Sequence, residues 1–155
     1  MVGVTIRDAQ AADLAAIRHL LREVGLPTAG VAEHIAGFAV AEEAGRIVAA
    51  AGLERYGRTA LLRSVAAAPA YRGRGIPGAL VTRLLRRAVG QGVAEVFLLT
   101  TDAAGYFRRF GFEPVAREEV APDVRRSTEF ADACCVTAQA MRMRLEAVEG
   151  RRSRS

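Results

Sequence analysis

Apolar positions recur at helical spacing across residues 11–24, where Leu14, Ile17, Leu20, Leu21 and Val24 fall on one face and Gly25 supplies a stop. Ahead of this helix, residues 4–7 predict a short strand. Behind Pro27, a weaker helical stretch is expected over 30–37. Residues 38–42 and 47–55 then read as an antiparallel hairpin turning at Ala44-Gly45, and Gly57 opens a further turn into a strand over 60–67. Three strands in meander result.

The pattern changes in the middle of the chain. From the third of these strands, Pro69-Ala-Tyr-Arg-Gly-Arg-Gly-Ile-Pro-Gly78 leads into a helix over 77–90, with Leu80, Val81, Leu84, Leu85 and Ala88 on one side and Arg83, Arg86 and Arg87 on the other. Gly90 and Gly92 end it. Residues 95–100 are apolar on both alternating faces, as in a strand buried within a sheet. Residues 60–100 are therefore expected to form a strand, helix, strand unit whose strands run parallel. A helix over 103–110, a strand over 112–116, an arginine-rich irregular or helical stretch over 122–132 and a last strand over 139–145 complete the chain. The fold class expected is a single α/β domain with a mixed twisted sheet flanked by helices. It is expected to cover residues 1–148, with a disordered arginine-rich tail over 149–155.

Composition narrows the classes of function. With 155 residues, 51% of them hydrophobic and 25% charged, the chain suits one packed core, which excludes intrinsic disorder and fibrous structure. The longest apolar runs, 47–53 and 93–99, fall short of the ~20 residues that a membrane span needs. Arg7, Asp8, Asp13 and Arg18 break up the apolar stretch that a secretory signal would require, so no membrane association and a cytoplasmic location are expected. The net charge is +5, but Arg151, Arg152 and Arg154 supply three of these charges, which leaves +2 for residues 1–149. All 22 basic residues are arginine, a choice that suits carboxylates and phosphates and is equally explained by the composition of the source genome. Cys134 and Cys135 are adjacent and have no partners at zinc spacing, so buried reduced thiols are expected rather than a disulfide framework or a metal site.

Gly73, Gly75 and Gly78 at the mouth of a helix let backbone N–H groups approach an anion closely, and the positive end of the helix adds to the attraction. Arg72 and Arg74 are placed to supply charge-assisted bonds from the sides. Phosphate or pyrophosphate is the natural ligand; the alternative is a tight strand-to-helix connection and nothing more. The spacing Gly73-x-Gly75-x-x-Gly78, with Glu95 following 20 residues after Gly75, also spells a dinucleotide fingerprint. That reading needs the acidic residue at the carboxyl end of the second strand and an early place in a larger parallel sheet, whereas Glu95 stands at the start of its strand.

The run Val65-Ala-Ala-Ala-Pro-Ala-Tyr-Arg-Gly-Arg-Gly-Ile76, followed by an amphipathic helix, a strand and Phe107-Arg-Arg-Phe-Gly-Phe112, resembles the GCN5-related N-acetyltransferases over roughly residues 4–145. Within that superfamily, Phe97-Leu-Leu-Thr-Thr101 and Gly111-Phe-Glu-Pro-Val115 are similar to the acetyltransferase domain of N-acetylglutamate synthases and to arsenic-resistance acetyltransferases acting on arsinothricin, a glutamate analogue. The resemblance implies acetyl-coenzyme A as donor, with its pyrophosphate on the amides of Arg72, Gly73, Arg74, Gly75, Ile76, Pro77 and Gly78. It also implies a pantetheine arm that pairs with the backbone of Val65, Ala66 and Ala67, and direct attack by a small-molecule amine on the thioester. The acceptor expected is the α-amino group of an amino acid, and similar enzymes are commonly homodimers.

Two departures from the family pattern matter. Pro77 stands where Gly or Ala is usual and has no N–H to offer, although proline suits a first helical turn. Phe107, counted with the coenzyme-binding residues, stands where many relatives carry a tyrosine that protonates the departing thiolate. Tyr106 is adjacent but turned about a third of a helical revolution away, so it is either the proton donor or an ordinary core tyrosine. For the base, Glu54 at the end of its strand is the candidate, with a solvated strand-end charge as the alternative. Arg63 leads the candidates for an acceptor carboxylate, with Arg117, Arg125 and Arg126 behind it, and Thr100 and Thr101 offer hydroxyls. His19 reads as solvated and His34 shows no metal partner. A nucleic-acid module is disfavoured, because the charge excess sits mostly in the tail and no stacking or groove-reading motif appears.

Overall fold

A computed structural model of the chain describes residues 3–131 and 138–145. The strands are β1 (Thr5–Asp8), β2 (Phe38–Glu43), β3 (Arg46–Tyr56), β4 (Thr59–Ala67), β5 (Glu95–Thr100), β6 (Glu113–Val115) and β7 (Gln139–Arg144). The helices are α1 (Leu14–Glu23), α2 (Ile76–Gly90), α3 (Ala104–Arg108), α4 (Pro122–Arg125) and α5 (Thr128–Ala131). The strands make one mixed sheet in the order β1-β2-β3-β4-β5-β7-β6. The expected α/β class with a mixed sheet and flanking helices is what the chain forms. By packing, it divides into a first unit with residues up to Glu54 and Arg63–Arg87, and a second with Arg55–Leu62 and the chain from Ala88 onward.

In the first unit, β1 and β2 run antiparallel with Thr5 opposite Glu42, and β2 and β3 run antiparallel with Phe38 opposite Gly52. The glycine is a steric necessity: a Cβ on Gly52 would lie 2.3 Å from the Phe38 ring, which fills that space instead. The β2–β3 turn puts Ala44 at φ 51 and Gly45 at φ 79, the left-handed pair that matches the twist of a two-residue hairpin. β3 is buried continuously from Val48 to Glu54, which identifies it as an interior strand. On one face Ile17, Leu20 and Leu21 of α1 close over Phe38, Val40, Ala50 and Ala66. The Asp8 carboxylate accepts bonds from Arg83 and Arg87 of α2, both at 3.0 Å.

Two helical expectations change in detail. The stretch 11–24 divides into a 3-10 turn at Ala11–Asp13 and α1, because the Asp13 carboxylate turns back to accept the Gln10 N–H at 2.7 Å. At the other end Gly25, at φ 79, and Leu26 return their N–H groups to Arg22 and Leu21, and the helix stops there. The weak stretch 30–37 forms turns and a 3-10 turn at Ile35–Gly37 rather than a helix. Gly30 at φ 85 breaks it, and a Cβ on Gly37 would lie 2.1 Å from the Leu53 carbonyl oxygen, a contact that a helical side chain cannot make.

In the second unit, β4 and β5 run parallel from Thr59 opposite Glu95 to Leu61 opposite Phe97, as the strand, helix, strand pattern predicts. β5 pairs antiparallel with β7 along its whole length, and β7 with β6. Leu61, Phe97, Val115, Val120, Val124 and Ala140 form its core. α3 is shorter than the 103–110 expected, because Gly111 at φ 106 lets Phe112 return its N–H to Phe107. The 122–132 stretch forms two short helices, α4 and α5. Cys134 and Cys135 and the 149–155 tail lie outside the described residues. Among the described residues no helix is long and apolar enough to cross a membrane, and no group of three or more His, Cys, Asp or Glu side chains is placed to hold a metal ion.

Candidate active site

From the end of β4 the chain passes through a 3-10 turn at Pro69–Tyr71 into residues 72–75, all exposed, and then into α2. Gly73 and Gly75 hold φ of 77 and 74, a region that a side chain makes costly, and a Cβ on either would meet nothing within 4 Å. The loop is thus shaped by backbone conformation and faces open space. The Gly75 carbonyl accepts the Ala79 N–H at 3.1 Å, so Gly75 opens the helix. Helical geometry leaves the N–H groups of Gly75, Ile76 and Gly78 with no carbonyl ahead of them, and the dipole of a 15-residue helix reinforces their positive end. Pro77 is the second residue of α2, so the proline takes one donor away from this cradle without disturbing the helix. Such a donor set fits a diphosphate.

The two loop arginines differ in their surroundings. Arg72 is exposed. Arg74 lies over the Tyr71 ring, 4.9 Å from its centroid, and the Tyr71 hydroxyl donates to Glu43, which ties the loop to the end of β2. That hydrogen bond raises the Tyr71 phenol above its ordinary range. Ile76 is buried and anchors the start of α2.

Glu54 and Arg63 are brought together. Glu54 has no solvent exposure, and its Oε2 accepts from Arg63 Nη1 at 2.6 Å. Arg63 also donates from Nε to the Ser64 hydroxyl at 3.0 Å and from Nη2 to the Pro27 carbonyl at 3.4 Å. The sequence suggested a strand-end base, with a solvated charge as the alternative, and a substrate fork; the structure buries the two against each other, which removes the solvated alternative. Burying a charged pair costs several kcal/mol per ion in desolvation, repaid only by good geometry and further hydrogen bonds, which Ser64 and Pro27 supply. Ser64 carries φ 59, a left-handed conformation inside a strand that costs a non-glycine residue ~1–2 kcal/mol. It stands in β4 immediately before Val65, Ala66 and Ala67, the last two of which are buried. On the other side of Glu54, its Oε1 lies 3.7 Å from Nε2 of His34, whose side chain is 28% exposed. Sequence reasoning passed over His34, and nothing in the sequence marks Ser64 as strained.

The remaining candidates belong to the second unit. Thr100 is buried, and its hydroxyl accepts the Ala103 N–H at 3.0 Å, which starts the turn into α3; Thr101 is exposed. Phe107 is buried and meets Tyr106 and Phe112 edge to face, with centroids 5.2 and 6.0 Å away. Burial raises the Tyr106 phenol above its ordinary range, against a smaller opposing effect of Arg109, so the hydroxyl keeps its proton throughout the neutral range. Arg117 donates to the Ala138 carbonyl at 3.1 Å and lies over the Phe130 ring; Arg126 pairs with Asp123 on the surface. Glu95 stands at the start of β5, where Arg144 and Arg142 approach it to 3.6 and 3.9 Å. A carboxylate so placed cannot hold a ribose at the carboxyl end of the strand, and β4–β5 is the one parallel pair among the described pairings, so the dinucleotide alternative built on Gly73, Gly75 and Gly78 falls.

Residues 34–114 match the family model of the acetyltransferase (GNAT) domain. An uncharacterized N-acetyltransferase from Chlorobaculum tepidum is 33% identical over 89 residues, 57% of each chain. The amino-acid acetyltransferase of Pseudomonas fluorescens is 38% identical over 92 residues, 58% of this chain and 21% of that protein. The chain's matches therefore span just over half of the first relative and about a fifth of the second. Among solved structures, N-acetylglutamate synthase from Neisseria gonorrhoeae, complexed with coenzyme A and N-acetyl-glutamate, superposes with a TM-score of 0.78 at 23% identity, over 94% of this chain and 36% of that one. A Mycobacterium tuberculosis protein solved in complex with CoA superposes with a TM-score of 0.75 at 27% identity, over 91% of this chain and 99% of that one.

Proposed function

The chain belongs to the acetyltransferase (GNAT) domain family, and on that footing we propose that it transfers an acetyl group from acetyl-coenzyme A to the α-amino group of a small amino acid, with a glutamate-like acceptor the favoured case. The observation that carries this reading is the loop and helix start at residues 72–78, exposed over 72–75, whose two left-handed glycines border open space. In this proposal the N–H groups around Gly73, Gly75, Ile76 and Gly78 hold the diphosphate, with Arg72 and Arg74 beside them. The backbone of Val65, Ala66 and Ala67 pairs with the pantetheine arm. Acetyl-coenzyme A supplies an acetyl group activated as a thioester, so the protein needs no nucleophile of its own. Its tasks are to align the amine, accept the proton that the amine must lose, and provide for the departing sulfur.

The likeness to amino-acid acetyltransferases supports an amino-acid acceptor. Arsinothricin, a glutamate analogue, is the acceptor that a role in arsenic resistance demands, and glutamate is the one that a synthase-like role demands. An acetylation assay reading free thiol, with glutamate, phosphinothricin, arsinothricin and an aminoglycoside offered separately, distinguishes them. Thiol release with at least one of the first three is the expected result. Turnover of the aminoglycoside alone overturns the acceptor, and no release with any amine overturns the activity.

A further inference from the structure

Glu54 has no exposed surface and its Oε2 is held by Arg63 at 2.6 Å, so a proton from a bound amine has no direct route to it. His34 approaches its other oxygen, with Nε2 3.7 Å from Oε1 and 28% of the side chain open to solvent. A carboxylate behind an imidazole fixes the ring's orientation and stabilises the charge that the ring acquires on protonation. The group lies at the site already described, because Arg63 bonds Ser64, the residue immediately before the backbone proposed to pair with the pantetheine arm. Resting on the proposed acetyl transfer, we infer that His34 is the proton acceptor of the reaction and that Glu54, braced by Arg63, is its positioning residue.

The step balances without a further reactant. The acceptor ammonium gives one proton to the imidazole, and the freed lone pair forms the N–C bond to the acetyl carbon as the C–S bond breaks. The sulfur departs with the bonding electrons and takes up, through water, the second proton that the new amide nitrogen sheds, and the imidazolium returns its own proton to water. The charged groups at the ring include Glu54 of β3 and, behind it, Arg63 of β4. The ring accepts the proton in its neutral form.

The test compares wild type, His34→Gln and His34→Ala by kcat/KM from pH 5.5 to 10, on whichever of the four acceptors is turned over, with coenzyme A binding measured by calorimetry on each. Expected for both variants is a loss of about a hundredfold or more near neutral pH, the size of a general-base contribution. The loss should shrink towards pH 10, where the free amine needs no base. Added imidazole should restore part of the His34→Ala rate, and coenzyme A affinity should stay within twofold. A wild-type rate and pH profile in His34→Gln, or a loss that is equal at every pH and unrescued by imidazole, overturns the assignment while leaving the transferase reading standing. Absence of turnover by the wild type with every amine overturns that reading and this one with it.

Discussion

In the first unit a carboxylate and a guanidinium, both without solvent exposure, meet at 2.6 Å inside the sheet. In the second, Glu95 stands 3.6 Å from an Arg144 that is 63% exposed, while Leu61, Phe97, Val115 and Val124 make a core free of charge. The second unit follows the ordinary economy of a folded protein, with apolar atoms inside and charge at the rim. The first departs from it twice within two consecutive residues, at the buried Arg63 and at the left-handed Ser64. Buried ion pairs are weak contributors to stability, and strained backbone subtracts from it, so their coincidence supports the proposal that puts the chemistry in this part of the chain.

Neutralising one member of each pair sharpens that contrast most. Glu54→Gln removes the carboxylate that balances Arg63 in a buried setting, and a loss of about 3–5 kcal/mol in urea denaturation is expected. Glu95→Gln at the exposed pair should cost less than about 1 kcal/mol. Equal costs would remove the distinction between the units.

Next in size is Pro77→Gly. If the restored amide meets a phosphate, a charge-assisted hydrogen bond of roughly 1.5–3 kcal/mol is gained. Coenzyme A should then bind at least about tenfold more tightly by calorimetry. An unchanged Kd would show that the amide at this position never faces the ligand.

The smallest effect concerns pH. The Arg7 guanidinium, at 2.8 Å, holds the Asp13 carboxyl below its ordinary range, and the same contact raises Arg7. A carboxyl whose folded-state pKa is depressed contributes stability that is present above its unfolded value near pH 3.9 and is lost as pH falls through the folded one. Wild type should therefore lose about 1 kcal/mol more than Asp13→Asn between pH 5 and pH 2.5, read from thermal melts. Parallel melting curves over that range would show that the pair contributes nothing.

Much of the frame was legible in residue patterns. The face of α1 with Ile17, Leu20 and Leu21, the interior character of residues 95–100 and the left-handed glycines at 73 and 75 all follow from periodicity and from the one residue type that lacks a Cβ. The partnership of Glu54 with Arg63 was not legible. Local pattern places Glu54 beside the polar Arg55 and suggests a strand end, whereas β3 continues to Tyr56 and carries the carboxylate inside. The available signal was one carboxylate at the end of an apolar run and one guanidinium inside the next apolar strand, joined by the Gly57 turn. His34 was missed because its partner is brought to it by the fold, and Ser64 because a positive φ at serine has no sequence signature.

The most direct measurement is calorimetric titration of coenzyme A into the wild type and Gly75→Val. A saturable 1:1 isotherm in the wild type is predicted, with binding weakened at least tenfold in the variant, whose branched side chain cannot hold the left-handed turn that aims the amides. No heat in the wild type, or equal affinity in both proteins, would contradict the assignment of residues 72–78 as the coenzyme cradle.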